Sequence, residues 1–225
     1  NSFMLVQDKK SDDCSVFGPK TKLAKGFRLI KPTLDKIPLY IYPKRKPTPF
    51  HVQWQPDDVL NNIRNINPDI IHLHWIRAGF IDIATLGKIQ KPIVWTLHDM
   101  WPFTGGCHYS GSCSKYEKLC GMCPELDSKK AKDISTKIFN RKYHAWKNQE
   151  FHIVTPSKWL AKSAKNSALF ERQNVRVIPY GLRLDQYKPI DRVVARNILG
   201  LDKNKKYILF GALNAQSEKR KGYDF

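Results

Sequence analysis

Short apolar runs alternate with stretches of helical periodicity, and this alternation limits what the chain can become. The runs cover residues 70–75, 92–97, 152–155, 175–178 and 207–210. They are rich in β-branched side chains and nearly continuous in apolar character, the pattern of strands buried on both faces of a parallel sheet. Between them, residues 57–66 and 80–89 have helical spacing, the latter through Ile83, Leu86 and Ile89. Residues 128–148 carry a stripe of Ile134, Ile138 and Ala145, and 157–169 begin with Ser157 as N-cap. Strand–helix alternation predicts an α/β fold with a parallel sheet. Ligands in such sheets sit beyond the carboxyl ends of the strands. The residues expected there are His74, Trp75, His98, Asp99, Ser157 and Gly181.

The chain has 225 residues, enough for one domain and part of another. Five prolines between residues 30 and 49 exclude an uninterrupted helix and predict an extended surface excursion. Residues 188–205 read as a connector with one short helical pattern. Residues 1–187 then form the first domain, and 206–225 begin a second. Asn1 opens directly into the apolar residues 3–6, and the chain stops just after the last strand-like run. Both ends are therefore expected to be cuts through a longer protein. No run of about 18 apolar residues is present, so no membrane-spanning segment is expected, and no secretory leader is visible.

Lys and Arg number 39 against 20 Asp and Glu, a formal charge of +19. That field favours an anionic partner: nucleic acid, an anionic bilayer or phosphate-bearing substrates. The basic residues are scattered, and most read as solvated surface.

Neither a G-x-G-x-x-G fingerprint nor a phosphate-binding P-loop occurs, and no G-x-S-x-G elbow is present. His98 and Asp99 end the run 92–97. A histidine there suits hydrogen bonding to a hydroxyl or stabilising charge, with Asp99 orienting it or itself binding a hydroxyl as the second catalytic candidate. A polar pair that merely satisfies loop backbone is the equal alternative. His72 and His74, two apart on a strand, face one side; core or loop packing is favoured over a metal. Cys107, Cys113, Cys120 and Cys123 form the pattern C-x5-C-x6-C-x2-C. Its closing Cys120-Gly121-Met122-Cys123 step has the spacing of a zinc knuckle. Structural zinc is the first choice, with His108 able to replace one thiol; disulfides and reduced thiols stay open. Ser157 stands at a strand-to-helix junction, where free backbone N–H groups bind anions, with Lys158, Lys162 and Lys165 following.

Several phrases carry a family resemblance. They are Pro68-Asp69-Ile70-Ile71-His72-Leu73-His74-Trp75, then Trp95-Thr96-Leu97-His98-Asp99-Met100-Trp101-Pro102-Phe103-Thr104-Gly105-Gly106-Cys107. Cys120-Gly121-Met122-Cys123-Pro124, Val154-Thr155-Pro156-Ser157-Lys158 and Val177-Ile178-Pro179-Tyr180-Gly181 follow in order, and then residues 208–222. From about residue 65 onward the chain resembles family-four (group 1) glycosyltransferases, especially the branch making bacterial capsular, exopolysaccharide and colanic-acid-like polymers. The resemblance implies the N-terminal half of a GT-B fold, a Rossmann-like parallel sheet flanked by helices, with the start of the donor-side domain at its end. It implies transfer of a sugar, with retention, from a nucleotide-diphosphate sugar to a saccharide or lipid-linked saccharide, without a catalytic cofactor. His98 then stands near the transferred sugar, and Lys221, assisted by Arg220, at the donor diphosphate. The pattern departs at Ala212, where the family often has arginine, and the carboxylate pair of the E-x7-E signature would lie beyond Phe225. This chain alone is therefore expected to be inactive. A cytoplasmic enzyme docked on the anionic inner-membrane face fits the charge.

A zinc-containing nucleic-acid-binding protein is the rival reading, using the same charge and cysteines. It lacks a recognition helix, paired finger histidines and aromatic–basic interleaving, so nucleic acid is the less favoured partner. A non-catalytic sugar-binding remnant is the third.

Overall fold

The structure, a computed structural model, describes residues 2–212 and 221–223. It divides into two units, Asn1–Tyr180 and Gly181–Phe225. In the first, two short strands, β1 (Met4–Leu5) and β2 (Val16–Phe17), pair in parallel. Helix α1 (Lys22–Lys36) and α2 (Val59–Ile66) follow. A four-stranded sheet is then built from β3 (Ile71–Leu73), β4 (Ile93–Thr96), β5 (Phe151–Thr155) and β6 (Asn174–Val177). Its order is that of the sequence, and every pair is parallel. Helices α3 (Ile83–Leu86), α4 (Ile134–Trp146) and α5 (Lys158–Asn166) connect the strands. This is the expected α/β architecture of a parallel sheet with helical crossovers.

The sheet is not buried on both faces, as the apolar runs suggested. Leu73, Ile93, Trp95, Phe151, Ile153 and Val175 are buried on one face. In-register neighbours on the other face, His72, His152 and Arg176, are exposed. The buried face meets α4 and the segment after α5. Trp95 is central there, with Trp146, Phe151 and Phe170 edge-on around it at 5.6, 5.5 and 5.9 Å. Each aromatic removes on the order of 150–250 Å² from water, and at about 25 cal/mol per Å² the cluster dominates the core.

Local chemistry sets the helix ends inside the expected spans. Asp133 starts α4 by accepting the N–H groups of Ser135 and Thr136, with Thr136 closing a capping box. Ser157 caps α5, accepting the N–H of Leu160 at 3.2 Å. α3 is one turn rather than ten residues, because Asp82 caps it only at Ala84 and Gly87 ends it. Asn67, left-handed at φ 49°, stops α2.

The proline-rich segment is corrected more deeply. α1 runs straight through Pro32 to Lys36, a short 3-10 turn Ile37–Leu39 continues it, and Leu39 is buried. Proline lacks the N–H that would bond to the carbonyl four residues back. Here that carbonyl, on Arg28, accepts instead from Gln7 Nε2 at 3.3 Å, so a long-range bond supplies the missing partner.

In the second unit, α6 (Arg192–Ile198) is capped by Asp191 and fulfils the short helical pattern expected there. Residues 207–210 are not a strand: Ile208 and Leu209 are almost fully exposed. A strand forms only where a neighbour supplies hydrogen bonds, and among the described residues none lies beside this run. Arg220 falls outside the described residues.

Two glycines test the packing. A Cβ on Gly87 would lie 2.2 Å from the carbonyl oxygen of Ala145, on the facing helix α4. Backbone cannot yield there as a side chain can, so Gly87→Ala is expected to destabilise by about 1–3 kcal/mol. A Cβ on Gly26, inside α1, meets nothing within 4 Å, and Gly26→Ala is expected to stabilise by up to about 1 kcal/mol. Urea denaturation of the two variants reads both signs; equal effects would contradict the α3–α4 contact.

Candidate functional site

The candidate site lies at the carboxyl ends of β3, β4 and β6. Three departures from regular strand bring it together. Trp75 takes a left-handed conformation at φ 45° just after β3, which breaks the strand and leaves its indole exposed. β4 gives way at His98 and Asp99 to a short 3-10 turn Trp101–Phe103. β6 is followed by residues 178–180, which bring Tyr180 to His98. A cleft of about 230 Å³ is lined by Trp75, Arg77, Thr96, His98, Asp99 and Trp101, among others.

His98 sits in a chain of ring contacts. Its Nδ1 is 2.6 Å from the Tyr180 hydroxyl, and its Nε2 is 3.1 Å from His74 Nδ1. His74 in turn lies against His72, their ring centroids 4.1 Å apart, and His72 Nε2 is 2.8 Å from Thr96 Oγ1. Both nitrogens of His98 are thus engaged. If Tyr180 donates to Nδ1, then Nε2–H donates to His74; the reverse tautomers are equally self-consistent. Burial holds the His98 pKa below its ordinary value; Asp99 opposes this, while Arg77 and His72 add to it. His74 is lowered by burial and by His72 and His98. Both imidazoles are thereby shifted toward the neutral form. His72 and His74 are exposed, so they line this open edge instead of packing into the core.

Asp99 faces a different network. It is 5% exposed, accepts the N–H of Trp101 at 2.9 Å, and pairs with Arg77 at 2.6 Å. Arg77 also bonds to His108, whose Nε2 is 2.7 Å from His51 Nδ1. The guanidinium lies 3.6 Å from the Trp75 ring centre, stacked upon it, and its Nη2 is buried with no hydrogen-bond partner among the described residues. Burial and nearby Arg77 hold the His51 pKa down to about 4. Arg77 and His51 carry no motif of their own in the sequence, and only its place just beyond a strand end marks Arg77; Tyr180 stands in the phrase Val177-Ile178-Pro179-Tyr180-Gly181, which by itself assigns it no role. Ser157 is half-buried at the end of β5 with its hydroxyl used as a cap. Lys221 is exposed in the second unit.

The four clustered cysteines all line one cavity of about 340 Å³, with Phe50 and Tyr116. No disulfide links them. The loop is anchored through Asp133, which accepts the N–H of Cys123 at 2.9 Å, and through Glu125, which pairs with Lys46 at 3.0 Å. Gly105 N–H points at Cys120 Sγ at 3.2 Å. Burial pushes the thiol of Cys120 up to about 12 and raises Cys107 and Cys123 as well. Among the described residues no group of three or more His, Cys, Asp or Glu side chains is placed to hold a metal ion. His108 contacts both Arg77 and Asp99.

Breaking a buried ion pair from one side leaves the other charge without compensation. Asp99→Ala is therefore expected to cost about 3–5 kcal/mol in a denaturant titration, with the Asp99→Ala/Arg77→Met double variant recovering part of the loss. Additive losses would show that the pair is not coupled. His51 gives a separate signature. Its folded pKa lies below its unfolded value, so the unfolded state binds the extra proton and stability falls as pH drops from about 6.5 toward 4. A His51→Asn variant is expected to lose less stability than the parent across that window in thermal melts at stepped pH.

The family model for Glycosyltransferase Family 4 matches residues 7–186. A putative colanic acid biosynthesis glycosyl transferase, WcaC, of Escherichia coli (strain K12) is 28% identical over 74 residues. That alignment takes in 29% of this chain and 18% of the relative, so the chain matches less than a fifth of that protein's length. No solved structure matches the chain at a significant level. The family match includes the whole parallel sheet and the histidine–tyrosine array at its carboxyl edge, and on that ground the chain belongs to Glycosyltransferase Family 4.

Proposed function

We propose that this chain is the acceptor-side part of an enzyme of surface-polysaccharide synthesis. The enzyme moves a sugar, with retention, from a nucleotide-diphosphate sugar to a saccharide or lipid-linked saccharide. The observation that carries the reading is His98. It stands at the end of a central strand, half-exposed, and held by Tyr180 and His74, inside a segment matched to a glycosyltransferase family.

The geometry suits hydrogen bonding to a sugar hydroxyl. A neutral imidazole donates through one nitrogen and accepts through the other. A hydroxyl that replaces His74 or Tyr180 as partner is read by a ring whose tautomer the remaining partner sets. Trp75, exposed and stacked on Arg77, offers a flat apolar face to the acceptor side, with His74 beside it. Asp99 acts as a positioning residue: its carboxylate fixes Arg77 and the Trp101 turn. Ser157 and Lys221, with Arg220, are assigned to the donor phosphates, where helix N–H groups and cations stabilise a departing diphosphate. The family match lends the nucleic-acid reading no support, since that reading rests on charge and cysteines alone.

The test is product formation by the full-length protein with a panel of UDP- and GDP-sugars. Turnover of one donor is expected to fall at least about a hundredfold in His98→Ala. Tyr180→Phe is expected to lower kcat more than it raises KM and to move the acid limb of the pH profile. Activity is expected to decline as pH falls below the ordinary histidine range, because protonation of His98 and His74 removes their acceptor sites. No turnover with any donor, in a folded full-length protein, would reject the enzyme reading.

A further inference from the structure

Arg77 carries a donor that its ion pair does not use. The side chain is 5% exposed. Nη1 pairs with Asp99 Oδ2 at 2.6 Å and contacts His108 Nε2 at 2.8 Å. Nη2, on the same guanidinium, is buried without a hydrogen-bond partner among the described residues. Leaving a buried donor unpaired is costly, and folded proteins keep few such groups. Arg77 lines the cleft of about 230 Å³ that Trp75, His98 and Asp99 also line. An oxygen entering that cleft can complete the guanidinium.

The charges around the cleft select the kind of oxygen. Asp99 is matched by Arg77 and completed by the Trp101 amide. His108 touches both members of that pair. His98 and His74 are shifted toward the neutral form. Lys142, against the Trp101 ring, donates to the carbonyls of Trp101 and Thr104, and burial lowers its pKa well below the usual lysine value. A carboxylate or phosphate placed here would set a second negative charge beside Asp99, with Arg77 already shared. A hydroxyl or amide oxygen accepts from Nη2–H and changes no charge. The exposed Trp75 indole, stacked on the same guanidinium at 3.6 Å, adds a flat apolar surface beside the donor. A ring with C–H groups on its face and uncharged oxygens at its edge matches both, and a neutral pyranose is such a ring.

We infer that Arg77 Nη2 is the specificity-determining donor of an uncharged monosaccharide subsite, with Trp75 as its apolar wall. This rests on the reading above that the chain handles saccharides. It adds the class of sugar the acceptor presents at this point: neutral, neither a uronic acid nor a sugar phosphate.

The experiment is saturation-transfer NMR on the full-length protein, without nucleotide sugar. The probes are the methyl glycosides of glucose, galactose and mannose, their monodeoxy derivatives, and the uronic acid counterpart of each. At least one neutral glycoside is expected to bind, and its uronic acid at least about tenfold more weakly. Removing one particular hydroxyl is expected to weaken binding at least about tenfold, a result that needs no variant. In Arg77→Lys the ammonium can still face Asp99 but offers no second nitrogen. That variant is expected to bind the full glycoside at least about tenfold more weakly and to ignore removal of the same hydroxyl. A merely structural Arg77 would weaken every glycoside and leave the hydroxyl preference intact. That outcome, no binding of any neutral glycoside, or tighter binding of the uronic acid would overturn the proposal. Product formation from a UDP- or GDP-sugar beside any of these failures would leave the enzymatic reading standing. Glycoside binding as expected, without product from any donor, would do the reverse.

Discussion

The strand-end site depends on the ion pair between Asp99 and Arg77. Arg77 comes from the loop after β3 and Asp99 from the end of β4, and between them they join two segments that share no regular hydrogen bonding there. Asp99 also sets the turn at Trp101, and Arg77 supports Trp75 from beneath. His108, from the glycine-rich loop, and His51 extend the network. Two opposite charges removed from water hold each other strongly only when further hydrogen bonds complete both groups. Asp99 is completed by the Trp101 amide. Arg77 is not, since its Nη2 has no partner among the described residues, and that nitrogen belongs to a residue lining the cleft beside His98.

A second buried cation fixes the other side of the same turn. Lys142, on α4, is wholly buried, donates to the carbonyls of Trp101 and Thr104, and lies 3.7 Å from the Trp101 ring centre. Burial lowers its pKa well below the usual lysine value. The turn after β4 is therefore clamped through Trp101 by Asp99 on one side and Lys142 on the other. His98 precedes that turn by only three residues, so its position is set by packing rather than by its own hydrogen bonds. This leaves those hydrogen bonds, to Tyr180 and His74, free to be exchanged for a ligand.

The parallel sheet was legible because apolar runs of strand length, separated by capped helices, admit few other arrangements. Ser157 as N-cap and His98 at a strand end followed from the same local rules. The misread parts share one cause: they depend on partners distant in sequence. Pro32 reads as a helix breaker until Gln7 is seen to satisfy the Arg28 carbonyl. Apolar continuity in β3 to β6 reads as burial on two faces, although continuity cannot tell which side a crossover will cover. Residues 207–210 have strand composition but no neighbour among the described residues. Arg77 stands in an ordinary-looking phrase and Tyr180 in one that assigns it no role, and only the fold brings them to Trp75 and His98.

α1 shows why periodicity alone is ambiguous about direction. An apolar stripe on a helix shows that one face differs from the other; it does not state which face meets the protein. The usual inference, apolar inward, rests on water being the only other medium. In α1 the polar face has specific internal work: Asp35 receives two backbone N–H groups and Lys31 one carbonyl, bonds that hold residues 52–56 in place. Burial raises the Asp35 pKa to about 6, so keeping this carboxylate inside at neutral pH carries a cost that an apolar residue would avoid. The burial of a carboxylate and a lysine, with leucine, phenylalanine and isoleucine left at the surface, thus follows from that internal work.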